Sequence, residues 1–398
     1  MEATRSIRVE DSGGLGPLLM RDPQSLEAWE QTAFDEEIAF SGRRVVLFGS
    51  GSVGRRAAEC LRIDGIEPLC FADNSPLRWG TDIDRIPVLS PADAARSHGT
   101  DATFVVTIWN ERHRYAETRK QLADLGCASV IPSNKLRWKY SRVFLPFFFD
   151  DLPHHVYRDA DAVKAAAGLW ADDFSYREYI AQVRLRALGD MESLAAPDVG
   201  ETYFPTELFS LVADECFVDC GAFDGSTAKS FLKRSAGVFK RYIALEPDPI
   251  SHDRLCQYVS GLEPRLRERT TVLPLAAADR RKAVRFRGTG EVTSTISDDG
   301  EVTVECAPLD ELLSAEAPTF IKMDIEGSEA DALAGARGII VRHRPILAVC
   351  LYHRVADLWR LPLLINDVFG GYRLHLRAHD CDGWQTVCYA VPAERSLI

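Results

Sequence analysis

Twice in this chain a short apolar run ends in a glycine-rich turn that opens a helix, and nothing else in the sequence restricts the fold as much. The first case is VVLF followed by Gly49-Ser50-Gly51-Ser52-Val53-Gly54; the second is FVDC followed by Gly221 and Gly225. Each turn heads a stretch in which apolar runs of strand length alternate with helical segments. That alternation implies parallel sheets with helices on their faces. The first stretch contains VVLF, PLCFAD, TFVVTI and ASVI; the second contains FVDC, YIALEP, VLPLA, FIKMD, ILAVCL, YRLHL and TVCYAV. Two Rossmann-like, doubly wound α/β sheets are expected.

The surrounding segments set the expected boundaries. SLEAWEQTAFDEEIAF reads as a helical arm within residues 1–40, packing on a small nucleotide-type domain at 41–140. Residues 141–210 carry helical periodicity without a strand signal and read as a connector, leaving 211–398 for the larger sheet. Within it, AVRFR and EVTVEC flank a turn-rich segment whose Ser294 and Thr295 suit a lid. With 398 residues, two or three domains of ~150 residues are expected.

Charge narrows the partners. Asp and Glu number 59 against 47 Lys and Arg, a net charge of -12. Non-specific nucleic-acid affinity rests on cationic side chains, so nucleic acid is demoted in favour of small-molecule or carbohydrate substrates. Ten cysteines without a C-x-x-C pair suit a reducing cytosol better than a zinc ribbon or a disulfide framework. The start, MEATRSIRVEDSGG, has no apolar core, and VFLPFFF is too short to span a bilayer. A cytoplasmic chain without a membrane span is expected, and homo-oligomerisation is left open.

The first turn is a complete G-x-G-x-x-G between strand and helix. Gly49, Gly51 and Gly54 allow a tight turn, close approach of a diphosphate and close helix packing. Asp73, at the end of the next run, stands where a carboxylate meets ribose hydroxyls. A nucleotide or nucleotide sugar is the expected ligand, against a vestigial turn whose glycines serve only the backbone. The stretch CFADN...IPVLSP resembles the N-terminal domain that precedes some sugar acyltransferases and sugar-modifying enzymes. That resemblance implies nucleotide-sugar or dinucleotide binding.

The second turn differs. It lacks the dinucleotide spacing, and Asp219 at its strand end suits a ligand carrying an ammonium group. Asp224 and Gly225 lead into the helix, Glu246 ends the next strand in position to accept both ribose hydroxyls, and Asp279 follows LAAA near a flat adenine. Singly, each carboxylate reads equally as a turn or capping residue. Together they fit the parts of S-adenosylmethionine. Here FVDCGAFDG, YIALEPDP, APLDELL, FIKMDIEGSEADALAGA and RPILAVCLYH resemble, in order, the FkbM family of methyltransferases. The resemblance implies a class I methyltransferase fold of seven strands, the last antiparallel. It also implies O-methylation of sugar or polyketide-type hydroxyls.

Methyl transfer to a hydroxyl needs alignment and a proton acceptor or metal. Asp324 and His353, at the ends of the fourth and fifth strands, are the candidates. Either His353 is the base with Asp324 orienting it, or both help to hold Mg²⁺ or Mn²⁺. Glu326 suits a substrate contact or a helix start, Arg377 and His379 a substrate wall or a polar loop, and Tyr203 a cover over the ligand or a packing residue. Two further readings concern the first domain: an NAD-dependent sugar oxidoreductase, or a pure binding or oligomerisation module.

Overall fold

The structure is a computed structural model that describes residues 15–110, 112–197, 202–287, 295–296, 300 and 302–398. Its contacts divide into two units. The first holds the chain to Lys164, Arg177–Ala196 and Cys381–Gly383; the second holds Ala165–Tyr176, Pro197–Asp380 and Trp384–Ile398.

In the first unit the strands are β1 (Val45–Phe48), β2 (Phe71–Ala72), β3 (Asp82–Ile83), β4 (Ile86–Leu89), β5 (Thr103–Val106) and β6 (Ser129–Pro132). They form one sheet in the order β3-β4-β2-β1-β5-β6, parallel except for β3. Every residue of β1 and β5 is buried, as expected for strands covered on both faces. The two-residue period splits β1 between two cores: Val45 and Leu47 pack with Phe34 and Ile38, and Val46 and Phe48 with Phe104 and Leu122. Phe34 and Ile38 belong to helix Pro23–Ile38, which Asp22 caps by accepting from Ser25 N and in which proline takes an early position. The N-terminal helix therefore supplies core residues to the first unit.

The second unit continues with β7 (Cys216–Cys220), β8 (Arg241–Leu245), β9 (Thr270–Leu273), β10 (Leu275–Ala277), β11 (Lys282–Arg287), β12 (Thr295–Ile296), β13 (Val302–Ala307), β14 (Phe320–Met323), β15 (Ile346–Cys350), β16 (Tyr372–Ala378) and β17 (Thr386–Pro392). Seven of them form a sheet in the order β16-β17-β15-β14-β7-β8-β9, and β17 runs against its neighbours. The strand order reverses between β7 and β14, so their carboxyl ends open a crevice at the switch point. Phe204, Phe217, Phe231 and Phe320 pack ring against ring under this sheet.

Two expectations are corrected here. VLPLA is two strands, because Pro274 has no N–H to continue a ladder. β9 stays in the main sheet while β10 joins a four-stranded sheet with β11, β12 and β13. The expected connector is likewise divided between the units. Its 170–175 segment is tied to β16: Ala171 N donates to Leu374 O, and Asp172 bonds His375 at 2.6 Å. Ser294 lies outside the described residues, and Thr295 pairs with Arg287 on β12. Among the described residues no helix is long and apolar enough to cross a membrane.

Candidate active site

The Gly221 turn is shaped by close packing. Gly221 has φ +79°, and a Cβ on it would lie 2.0 Å from the Asp324 carbonyl oxygen, so only glycine fits. Gly225, at φ +89°, then starts helix Ser226–Arg234 without a side-chain cap, and Asp224 accepts from Ser226 N at 3.0 Å. At the tip of β8, Glu246 accepts from Phe223 N at 2.7 Å and from Asp248 N at 2.8 Å. Burial pushes its carboxyl up to about 7.

Asp219 does not offer itself to a ligand. It is fully buried, accepts from the Tyr242 hydroxyl at 2.8 Å, and pairs with Lys322 Nζ at 3.0 Å. Lys322 in turn donates to Gly221 O at 2.6 Å. The parallel register places Lys322 beside Asp219 on β14 and β7, so this carboxylate's charge is spent inside the sheet. Asp279 is also displaced. It follows β10 rather than the third strand of the main sheet, and it pairs with Lys282 at 2.9 Å and Arg280 at 3.1 Å.

At the ends of β14 and β15 the expected neighbours do meet. His353 Nε2 lies 3.2 Å from Asp324 Oδ1, and its Nδ1 lies 2.8 Å from Glu329 Oε1. Asp324 also accepts from the Tyr203 hydroxyl at 2.7 Å and the Tyr352 hydroxyl at 3.0 Å. Burial alone would lower the imidazole, but the Glu329 charge and the bonds from Asp324 and Glu329 hold it well above its ordinary value. Burial alone would raise the Asp324 carboxyl, yet His353 and Lys322 hold it well below the usual carboxylate range. His353 is thus an imidazolium between carboxylates. That charge state differs from the neutral base expected from the sequence, since an imidazolium has no free nitrogen lone pair to accept a proton. Among the described residues no group of three or more His, Cys, Asp and Glu is arranged to hold a metal ion.

Glu326 stands apart from the saturated carboxylates. Its backbone is left-handed at φ +55°, and its Oε1 stays 3.7 Å from His353 Nε2, beyond hydrogen-bond reach. Burial first, and then the charges of Asp324 and Glu329, raise its carboxyl to about 8 against the pull of His353.

Residues 219–380 match the model of the methyltransferase FkbM domain. Over these residues the chain resembles an FkbM methyltransferase domain. A crystal structure of methyltransferase FkbM from Methylobacillus flagellatus KT has the same fold, with a TM-score of 0.73 at 24% identity over 93% of this chain and 100% of that one. Partial overlaps occur with UDP-D-quinovosamine 4-dehydrogenase from Vibrio fischeri (TM-score 0.19, 23% identity, 22% of this chain and 75% of that one). Fibrillarin from Aeropyrum pernix with bound S-adenosyl-L-methionine overlaps at TM-score 0.29 and 14% identity, over 46% of this chain and 69% of that one. No curated protein matches the chain.

The remaining expected site residues bond within the second unit. Arg377, on β16, is buried and bonds Glu207 at 3.0 Å, Ser175 at 2.9 Å and Asp172 at 3.3 Å. That holds the 172–175 segment in place instead of forming a substrate wall. His379 bonds the Tyr389 hydroxyl at 2.7 Å, and Tyr389 accepts from Tyr203 N at 2.9 Å. Tyr203 is buried with its ring over Lys322, so it closes the site from inside. Sequence reasoning missed Lys322 and Tyr352. The signal for Lys322 was available: a charge inside the apolar run FIKM needs an opposite charge on a neighbouring strand, and FVDC supplies Asp219. Tyr352 carries no comparable signal.

In the first unit, Gly49-Ser50-Gly51-Ser52-Val53 lines a cavity of about 290 Å³ at the ends of β1, β2 and β5. Asp73 lies on it but is occupied. Its Oδ2 accepts from Ser50 N at 2.9 Å and Ser50 Oγ at 2.5 Å, and its Oδ1 accepts from Ser75 N at 2.8 Å. The expected ribose contact is thereby replaced by bonds that shape the turn.

Proposed function

We propose that the chain is an S-adenosylmethionine-dependent O-methyltransferase whose acceptor is a hydroxyl of a sugar, nucleotide sugar or related metabolite. The observation that carries this reading is the placement of Glu246 beside the Gly221 turn on an FkbM methyltransferase fold. Two of its lone-pair sites bind backbone N–H groups, and its remaining sites suit a pair of ribose hydroxyls. The residues present fit the cofactor, with Glu246 and the Gly221–Gly225 turn holding it. Bound there, S-adenosylmethionine supplies an activated methyl group.

The chain's own residues have to align the acceptor and take its proton. Asp324 is saturated by three donors and held strongly acidic, which makes it an anchor. Glu329 is fully buried behind His353. Glu326 is partly exposed, with 24% of its side chain open, and a carboxyl raised to about 8 suits proton transfer near neutrality. Glu326 therefore takes the base role expected of His353, and the imidazolium positions it.

The test is mass spectrometry of methyl transfer from S-adenosylmethionine to a panel of nucleotide sugars and polysaccharide fragments. Methylated oxygen in a panel member is expected. In that assay Glu326→Gln should lower kcat by ~10²–10⁴ while S-adenosylmethionine affinity stays unchanged. Methylation only on nitrogen, or full turnover in the Gln variant, would remove the O-transfer scheme.

A further inference from the structure

The three glycines of the first turn are not there for the same reason. Gly49 has φ +109°, a backbone that L side chains rarely adopt. Gly54 is a packing glycine, because a Cβ on it would lie 2.0 Å from Gly49 O. Gly51 answers to neither demand. Its φ is -74° and its ψ -168°, ordinary extended backbone, and a Cβ there would meet nothing within 4 Å. Neither conformation nor internal packing calls for glycine at 51. What its missing side chain does is leave the floor of the 290 Å³ cavity open over the start of helix Ser52–Ile63, which has no side-chain cap.

A cation stands on the same cavity. Arg78 donates from Nη1 to Ser50 Oγ at 2.8 Å and lies 3.3 Å from Asp73 Oδ2, with 43% of its side chain exposed. Asp73 thus ties the Ser50 turn to the Arg78 guanidinium, much of which stays exposed. Ile108, Trp109 and Asn110 line the rest of the cavity, with the Trp109 ring already stacked on Phe149 and under the Arg137 guanidinium. Backbone N–H groups and an arginine fit phosphate oxygens. The apolar Ile108 side chain and the Asn110 amide suit the edge of a hydrogen-bonding base. The volume lies near the lower end for ligand pockets, so a mononucleotide fills it and a dinucleotide would leave its second nucleoside outside.

We infer that this cavity binds a nucleoside diphosphate, with the diphosphate over Gly51 and against Arg78, and that Asp73 acts as a positioning residue rather than as a ribose acceptor. The site is independent of the methyl-transfer reading. Its test is calorimetric titration of the full chain with UDP, ADP, GDP, uridine, pyrophosphate and NADP⁺, in saturating S-adenosylhomocysteine so that adenosine binding in the second unit is blocked. At least one nucleoside diphosphate should bind, and removing its phosphates should weaken it by about tenfold or more. Gly51→Val should abolish that binding with an unchanged thermal melt, since the new side chain enters open space. Arg78→Ala should weaken it by about tenfold. Absence of binding by all three diphosphates, or wild-type affinity in Gly51→Val, would overturn the assignment. NADP⁺ binding tighter than every nucleoside diphosphate would overturn the choice of a mononucleotide.

Discussion

At the Gly49–Gly54 turn the polar groups face a cavity, whereas at the Gly221–Gly225 turn most of them face one another. Arg78 bonds Asp73 and Ser50 and still keeps 43% of its side chain exposed. Lys322, Asp219, Glu329 and His353 are almost wholly buried. The contrast teaches that a carboxylate at a strand end is not by position a ligand contact. What counts is whether a neighbouring strand brings it a cation first. In the second unit β14 brings Lys322 to Asp219, and the residues after β15 bring His353 to Asp324 and Glu329. Glu246 and Glu326, like Asp357, are instead carboxyls raised chiefly by burial.

Removing the buried cations breaks this comparison most severely. His353→Ala leaves Asp324 and Glu329 without their shared partner and should cost ~3–5 kcal/mol, read as a lower urea midpoint of the second unit. The pH dependence follows from the sign of the shift. The folded imidazole titrates above its ordinary 6.5, so its contribution is full below pH 6.5 and is lost as pH rises through the raised value. The variant and the wild type should therefore converge in stability at alkaline pH. A constant gap up to high pH would mean that His353 stabilises by packing alone.

Lys322→Met should destabilise by a similar or slightly smaller amount, ~3 kcal/mol, because Asp219 keeps only the Tyr242 hydroxyl. Adding Asp219→Asn should recover part of that loss, with a coupling of ~0.5–3 kcal/mol in a double-mutant cycle. Strict additivity would deny the pair its place in the sheet.

Glu246 sharpens the comparison on the ligand side. Glu246→Gln should weaken S-adenosylmethionine binding by more than tenfold, since hydrogen bonds to a charged acceptor contribute ~1.5–3 kcal/mol each. The wild-type carboxyl titrates at about 7, and ligand hydroxyls favour its ionised form. Binding near pH 7 should release a proton, measurable by calorimetry in buffers of different ionisation enthalpy, and the release should vanish in Glu246→Gln. Proton-neutral binding by the wild type would place the ribose elsewhere.

The smallest effect is expected at Asp279. It is partly exposed and already paired with Lys282 and Arg280, so Asp279→Ala should leave S-adenosylmethionine affinity within about twofold. A tenfold loss would return it to the adenine contact expected from its sequence neighbourhood.

Local pattern alone determined the order of strands and helices, the two glycine turns, and the seven runs that build the main sheet. Apolar periodicity and glycine are local signals, and strand formation needs little beyond them in runs such as FVDC and ILAVCL. The meeting of Asp324 with His353 was also legible, because consecutive parallel strands end on the same edge of a sheet. Tertiary structure alone decided what each charge does there. Pro274 sent β10, and Asp279 after it, to another sheet. Register set Lys322 beside Asp219, and burial between Asp324 and Glu329 turned His353 from an expected base into a fixed cation. A side chain's protonation depends on the charges within a few ångströms, and those come from different strands and loops, far apart in the chain, so local pattern does not contain them.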